Sequence, residues 1–406
     1  MAEPMMRVKD VDLADRTTFL NGPPHEYFEF LRRELPVAWV DHLEEDGPGY
    51  WVVTKWDDVM WVERDPELFS SNLGGTMIEP LGGGAELMML NQDPPRHTRL
   101  KLLVSRLFTP KHIRSIEESI RVAARDIVDT VAPKGEIDLV TEVSAEMPLI
   151  VIAELLGVPH EDRHKVFEWS NAMIGSEDPE YGGGRDPMEA SVELYTYAQK
   201  LADERLADPG EDVVTMLLTG EVDGEKLDAM EFNLFFLLLA VAGNETTRNL
   251  ITGGVLALLD HPDERDRLVQ DPALLPTAVE EMLRWVSPVN YFRRTATRAT
   301  EIRGVPIAAG DKVTIWYSAA NRDEDKFPDA GRFDVGRAPN EHVAFGARGP
   351  HFCLGANLAR LEITVMFDEL LRLLPDMERT GQVERLQMNL INGIKHMPVK
   401  YTAQPV

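Results

Sequence analysis

Residues 229–259 constrain the fold more than any other stretch of this 406-residue chain. Between 232 and 242 every position but Asn233 is apolar, so a helix here has no face that can be left in water. The run ending at Gly243 is about half of the ~20 residues that a bilayer span needs. It therefore belongs in the middle of a large protein core. In that setting stands Ala242-Gly243-Asn244-Glu245-Thr246-Thr247. Burying a carboxylate and two hydroxyls costs several kcal/mol unless each finds a partner. One account is structural: the Thr246 hydroxyl donates back to the Ala242 carbonyl and the helix bends. The other is that this polar turn is a working site held inside the core.

A second stretch narrows the choice. Phe345-Gly346-Ala347-Arg348-Gly349-Pro350-His351-Phe352-Cys353-Leu354-Gly355 contains the chain's single cysteine. With no second thiol, an internal disulfide and a multi-cysteine metal site are excluded. Cys353 is inert packing, a nucleophile or a single metal ligand. The apolar spacing Leu354, Leu358, Leu361, Val365, Leu370, Leu371 predicts a buried helix with Cys353 in its first turn, where free N–H groups and the helix dipole favour a thiolate. Gly346, Gly349 and Gly355 let the backbone approach a large flat ligand closely, and Phe345 and Phe352 are placed to cover the sulfur.

This loop resembles the haem-binding loop of the cytochrome P450 monooxygenases: His351 lies two residues before the cysteine, Gly349 four before and Gly355 two after. The family's phenylalanine seven residues before the cysteine is here Gly346, with Phe345 one position earlier, so the loop carries an extra residue. That lengthened loop, followed by Gly-Ala-Asn-Leu-Ala-Arg, is similar to a bacterial branch that oxidises sterol side chains and methyl-branched lipids. The resemblance implies a mainly α (α+β) fold, a single haem-centred helical domain over 1–406 with small β-sheets and a peripheral segment at 1–25. It implies haem b (iron protoporphyrin IX), with Cys353 as axial ligand of the iron; in this family the thiolate pushes electron density to favour O–O cleavage.

The same resemblance assigns further residues. Thr246 would hold and protonate dioxygen over the iron, in a groove opened by the bent turn, and Glu245 would link it to bulk protons. His97 and Lys101 match one contact to a haem propionate, with lysine where the family has arginine; Arg294 and His351 match the other, while Phe345 and Gly355 lie against the haem. Glu281 and Arg284, three apart, match a buried structural pair, joined by Arg332. Ile78, Met88, Val241, Ala242, Val289, Phe292, Leu390 and Ile391 fall around the substrate pocket. Their apolar character suits a long hydrocarbon, and the branch points to the end of a cholesterol or cholestenone side chain, with a methyl-branched fatty acid or isoprenoid as the alternative. A non-catalytic haem-thiolate gas sensor needs no proton relay, and a peroxide-driven or isomerising enzyme needs no electron partner.

Charge bears on the partner. The net charge of −27 argues against nucleic acid and anionic membranes. Yet residues 96–114 hold Arg96, Arg99, Lys101, Arg106, Lys111 and Arg114 with no acid, and residues 345–361 add Arg348 and Arg360. If both segments flank the cysteine, they form a basic face for an acidic electron donor: a ferredoxin with its ferredoxin reductase, or a flavoprotein. The opening residues show no basic, apolar and cleavage-site succession, so the expected location is cytoplasmic.

Local patterns fill in the rest. A helix is expected over 26–34, two strands over 37–41 and 50–55 around a turn at 45–49, and a second small sheet over 301–307 and 312–316. Helices are expected over 110–132, 144–156 and 161–173. Residues 70–92 are too apolar for an idle loop and either roof a pocket or seal the core. The loop 175–187 either joins two helices that move as a lid over a buried pocket or is a plain connection.

Overall fold

The apolar stretch is one continuous helix, Ala229–Asp260, in a computed structural model that describes residues 11–41, 49–79, 85–175, 178–182, 184–222 and 224–405. At 1.5 Å per residue it is about 48 Å long, enough to run through the whole body of helices. Its start is fixed by a reciprocal cap. The Asp228 carboxylate accepts from the Glu231 N–H at 2.7 Å, and the Glu231 carboxylate accepts from the Asp228 N–H at 3.2 Å. Around it pack Glu146–Leu156, Pro187–Ala207, Leu275–Val286 and Ala356–Leu373. Two helical glycines permit that closeness: a Cβ on Gly243 would lie 2.8 Å from Ile152, and one on Gly254 would lie 2.7 Å from Phe367. Glycine costs helix propensity, and here it admits neighbouring helices to native packing density.

Among the described residues the strands form one larger sheet and three small ones. Val37–Val40 pairs antiparallel with Tyr50–Val53, which runs parallel to Lys312–Trp316; Tyr291–Ala296 and Phe69–Ser70 follow, each antiparallel to its predecessor. The expected second sheet is therefore divided. Lys312–Trp316 joins the N-terminal strands, and Thr300–Ile302 pairs with Val305–Ile307 in a separate two-stranded sheet. Pairing between strands some 260 residues apart, such as Trp51 with Val313, leaves no trace in local periodicity.

The helix expected over 110–132 breaks at Ile116 into Pro110–Ser115 and Glu117–Val131. The one expected over 144–156 is a π-helical turn, Val140–Ser144, followed by Glu146–Leu156. Arg163–Ile174 and Pro187–Ala207 flank the expected lid loop. Most of the turn at 45–49 lies outside the described residues. The largest apolar cluster surrounds the central helix, and two smaller ones lie against the sheet.

Candidate active site

Cys353 does not lie in the first turn of its helix. The helix is Ala356–Leu373, capped by Gly355, and the cysteine stands in the loop just before it. Its backbone N–H donates to the Phe345 carbonyl at 2.9 Å, closing the loop on itself. Its side chain is accessible although protein surrounds it closely, so its accessible face is internal. Burial pushes the thiol up from its ordinary range, against the pull of a hydrogen bond from Gly355 and of the Lys101 and Arg360 charges. Desolvation thus outweighs the helix-end effect in the protein alone. Phe345 and Phe352 meet edge to face at 6.5 Å, with the Arg360 guanidinium 4.6 Å from the Phe345 centroid.

Two of the three loop glycines serve a different purpose from the expected one. A Cβ on Gly349 would lie 2.2 Å from the Glu63 carbonyl, and Gly346, at φ +85°, brings its backbone to the Glu63 carboxylate. They seat the loop on the helix Trp56–Arg64, not on a ligand. A Cβ on Gly355, in contrast, would meet no protein atom within 4 Å. Glu63 is the anchor: it accepts from the Ala347 N–H, the Tyr317 hydroxyl and, at 3.4 Å, Arg294. Sequence reasoning does not single it out, although an acid four residues after Val59 on an apolar helix face was the available signal.

Beside the loop, basic side chains from three elements converge. The His97 and His351 rings are 4.1 Å apart, and His351 meets the Ser71 hydroxyl at 3.2 Å. His97 is buried, and its Nδ1 has no partner among the described residues. Burial, then Arg294, His97 and Lys101, hold His351 down to about 2; burial and then Lys101 hold His97 down to about 4. Burial is the main cause in both, and the orphaned His97 Nδ1, beside His351 and Arg294, is left without an acceptor among the described residues. The carboxylates of a haem fit that need. Lys101 is engaged elsewhere: its Nζ donates to the Pro350 and Phe352 carbonyls at 2.7 and 2.8 Å, bracing the cysteine loop.

On the central helix, the Thr246 hydroxyl donates to the Ala242 carbonyl at 2.9 Å, and the helix continues without interruption. Glu245 is 1% exposed; one oxygen accepts from Arg248 and the other has no partner among the described residues. Burial pushes its carboxyl up, with Arg248 opposing. Ala242 is exposed in the middle of this otherwise buried helix, which marks an internal space next to the acid–alcohol turn.

The structural pair recruits a different arginine. Glu281 is fully buried and accepts from Arg284 through two bonds of 2.7 Å. The third member is Arg337, at 3.1 and 3.2 Å, with Asn340 and the Asp334 N–H completing the set. Arg332 contributes its carbonyl to Arg284, and its side chain reaches outward to Glu264, 64% exposed.

Of the expected pocket residues, Met88, Val241, Ala242, Val289, Phe292 and Leu390 keep accessible surface. Ile78 and Ile391 do not. Ile78 packs into the apolar cluster with Tyr291 and Trp316, and Ile391 pairs with Val289 in a bridge that knits the two loops together. Of the eight expected cations on the basic face, four are engaged: Arg96 and Arg99 by Glu231, Lys101 by the loop, Arg360 by Glu280. Arg106, Lys111, Arg114 and Arg348 are exposed and form no ion pair among the described residues.

A helical body with one internal thiol beside an anion-seeking cluster has the design of a haem-thiolate protein. The family model for cytochrome P450 matches residues 196–374. A methyl-branched lipid omega-hydroxylase of Mycobacterium tuberculosis is 45% identical over 386 residues, covering 92% of this chain and 90% of the relative. A steroid C26-monooxygenase of Mycolicibacterium smegmatis is 44% identical over 404 residues, covering 97% and 94%. The solved structure of a Mycobacterium marinum cytochrome P450 in complex with pseudoionone matches with a TM-score of 0.90 at 38% identity, covering 97% of this chain and 100% of that one. The chain belongs to the cytochrome P450 family. It is a haem-dependent monooxygenase that draws electrons from redox partners and takes a hydrophobic substrate. No helix among the described residues is long and apolar enough to cross a membrane.

Proposed function

We propose that this enzyme hydroxylates the terminal carbon of a sterol side chain, in cholesterol or cholestenone. The observation that carries the reading is its 44% identity, across 97% of the chain, to a steroid C26-monooxygenase. Haem, when bound, supplies activation of dioxygen and insertion of one oxygen atom into a C–H bond. Cys353 would ligate its iron, and His97, His351 and Arg294 would hold its carboxylates; a Cβ on Gly355 would meet no protein atom, which leaves room beside the sulfur.

The other roles belong to side chains already placed. Val241, Ala242, Val289, Phe292, Met88 and Leu390 offer an apolar wall with no charge to retain a polar head group. Removing hydrocarbon from water gains roughly 25 cal/mol per Å², so an extended side chain is held tail-first more tightly than a short terpene. The Thr246 hydroxyl turns from the Ala242 carbonyl to donate toward the reacting oxygen, and Glu245 returns the proton from solvent. Arg106, Lys111, Arg114 and Arg348 receive an acidic ferredoxin. A cytoplasmic location fits a need for NAD(P)H-reduced donors.

A second reading, terminal hydroxylation of a methyl-branched lipid, is favoured by the relative of that name at 45% identity. Titration of the haem-loaded enzyme with cholestenone and with a methyl-branched fatty acid, followed by product analysis, separates the two. Cholestenone should give the low-to-high-spin Soret shift and a product oxidised at the side-chain terminus. A shift and product with the fatty acid alone would replace the sterol reading by the second.

A further inference from the structure

Arg248 is a buried cation that none of the roles above uses. It stands three residues, close to one turn, beyond Glu245 and is 1% exposed. A guanidinium stripped of water needs a full set of partners, and those of Arg248 come from two sources. The central helix supplies one, the Glu245 carboxylate. The others come from the region expected as a lid. Asn171 Oδ1 on the helix Arg163–Ile174 accepts from Arg248 at 3.4 Å; the Phe167 centroid, on the same helix, is 5.7 Å from the guanidinium carbon, and the Tyr181 centroid, on the segment 178–182, is 4.9 Å from it. Arg248 Nε has no partner, and these groups are the partners of the guanidinium among the described residues.

The segment 178–182 is itself docked from both sides. Tyr181 packs against Gly175, where an added Cβ would lie 2.4 Å from the tyrosine Cβ. The Asp178 carboxylate accepts from the N–H groups of Glu180, Tyr181 and Gln387 and from Lys395 Nζ, all within 3.0–3.1 Å. Glu180 meets His396 and Lys395 at 2.6 and 3.0 Å. One face of the segment is thus held by the C-terminal loop and the other rests on Arg248.

We propose that Arg248 is a positioning residue that couples the seating of the segment 178–182 to the orientation and charge of Glu245. With Tyr181, Phe167 and Asn171 in place, the guanidinium is desolvated and holds the carboxylate turned toward itself. When the segment and its helix lift, water reaches the guanidinium and the effective dielectric rises. The pairing then weakens steeply, and Glu245 is released to take a proton from solvent and pass it to the Thr246 hydroxyl, which restores the carboxylate. The coupling rests on the reading of Glu245 as the proton donor. Arginine suits the role because its flat ion can stack on a ring and hold a carboxylate at once, which an ammonium does less well.

The test uses haem-loaded enzyme with substrate and redox partners. Two readouts are taken: hydrogen exchange of the backbone amides in 178–182, and product formed per NAD(P)H consumed. In Arg248→Gln and in Tyr181→Leu, exchange should rise several-fold and coupling should fall several-fold, with hydrogen peroxide making up the difference. Arg248→Lys should recover part of both. Tyr181→Leu keeps the Glu245–Arg248 pair and serves if Arg248→Gln does not fold. Parent-like exchange and coupling in Tyr181→Leu and Arg248→Gln, while Glu245→Gln loses coupling, would overturn the proposal and leave the relay standing. Unchanged coupling in Glu245→Gln would remove the relay and the coupling proposal with it.

Discussion

Cys353 is distinguishable from an ordinary buried thiol by what surrounds it, and its variants test that difference. Burial holds the free thiol protonated, so the thiolate requires the iron as well as Lys101, Arg360 and the Gly355 N–H. The reduced, carbon-monoxide-bound enzyme is expected to show the red-shifted Soret band of thiolate ligation, and Cys353→Ser should lose it; the same band in both would eliminate this ligand. Thr246→Ala should retain haem and substrate binding but divert reducing equivalents to peroxide. An unaltered yield of product per NAD(P)H would leave Thr246 only its bond to the Ala242 carbonyl. Arg337 and Arg332 give a stability test of the corrected ion cluster. Removing one partner of a buried pair costs about 3–5 kcal/mol, so Arg337→Ala should lower the denaturation midpoint clearly, whereas exposed Arg332→Ala should stay within about 0.5 kcal/mol. The reverse order would restore Arg332 to the cluster. Cys353, Glu245 and Thr246 stand out in the sequence because their chemistry is conspicuous where they stand. Arg337 does not, because two arginines five apart in an irregular loop are told apart only by where the chain turns.

At the scale of elements, the central helix was the most legible part, since its length and all-round apolarity admit no other state. The Asp228–Glu231 cap was readable too, as an acid three residues before a glutamate. What stayed hidden was how elements hold one another. Glu63 fastens the cysteine loop to its neighbours through groups some 230 to 280 residues away, and Arg248 ties the helix to Arg163–Ile174 and the segment 178–182. The C-terminal loop and the segment 178–182 show the same feature, and here a pH dependence follows. His396 bridges Asp138 and Glu180, each at 2.6 Å. Burial works against its charged form, but the bonds to Glu180 and Asp138 prevail and raise the imidazole above its ordinary 6.5. A raised value means that the charged bridge is complete below that ordinary value and is lost as pH rises through the higher one. Lys395, also raised in the folded state, remains charged throughout. Amide protection factors in 178–182 should therefore fall as pH rises above the ordinary 6.5 and through the raised value, and His396→Gln should flatten the change. A pH-independent protection factor in the parent would mean that Lys395 alone holds the segment.

The whole molecule carries 69 acidic against 42 basic side chains, so at long range it repels an acidic electron donor. Association then depends on whether the local field near the cysteine differs in sign from the global one. The screening length is about 8–10 Å at moderate ionic strength, so a donor close to contact senses the nearest charges and little of the rest. Composition alone hid this, because four of the eight expected cations turn out to be engaged within the protein. The four that remain exposed, Arg106, Lys111, Arg114 and Arg348, come from two segments that the fold brings to the cysteine side through Lys101 and its loop carbonyls. A small patch acts chiefly on encounter. Arg106→Gln with Arg114→Gln should slow reduction by a ferredoxin several-fold at low salt and by little at high salt, so that the mutant's salt dependence is flatter than the parent's. Neither residue touches the pocket, and the substrate-induced spin shift should be unchanged. Stopped-flow reduction across a salt series decides the matter: identical rates at every ionic strength would move the electron donor to a different face of the enzyme.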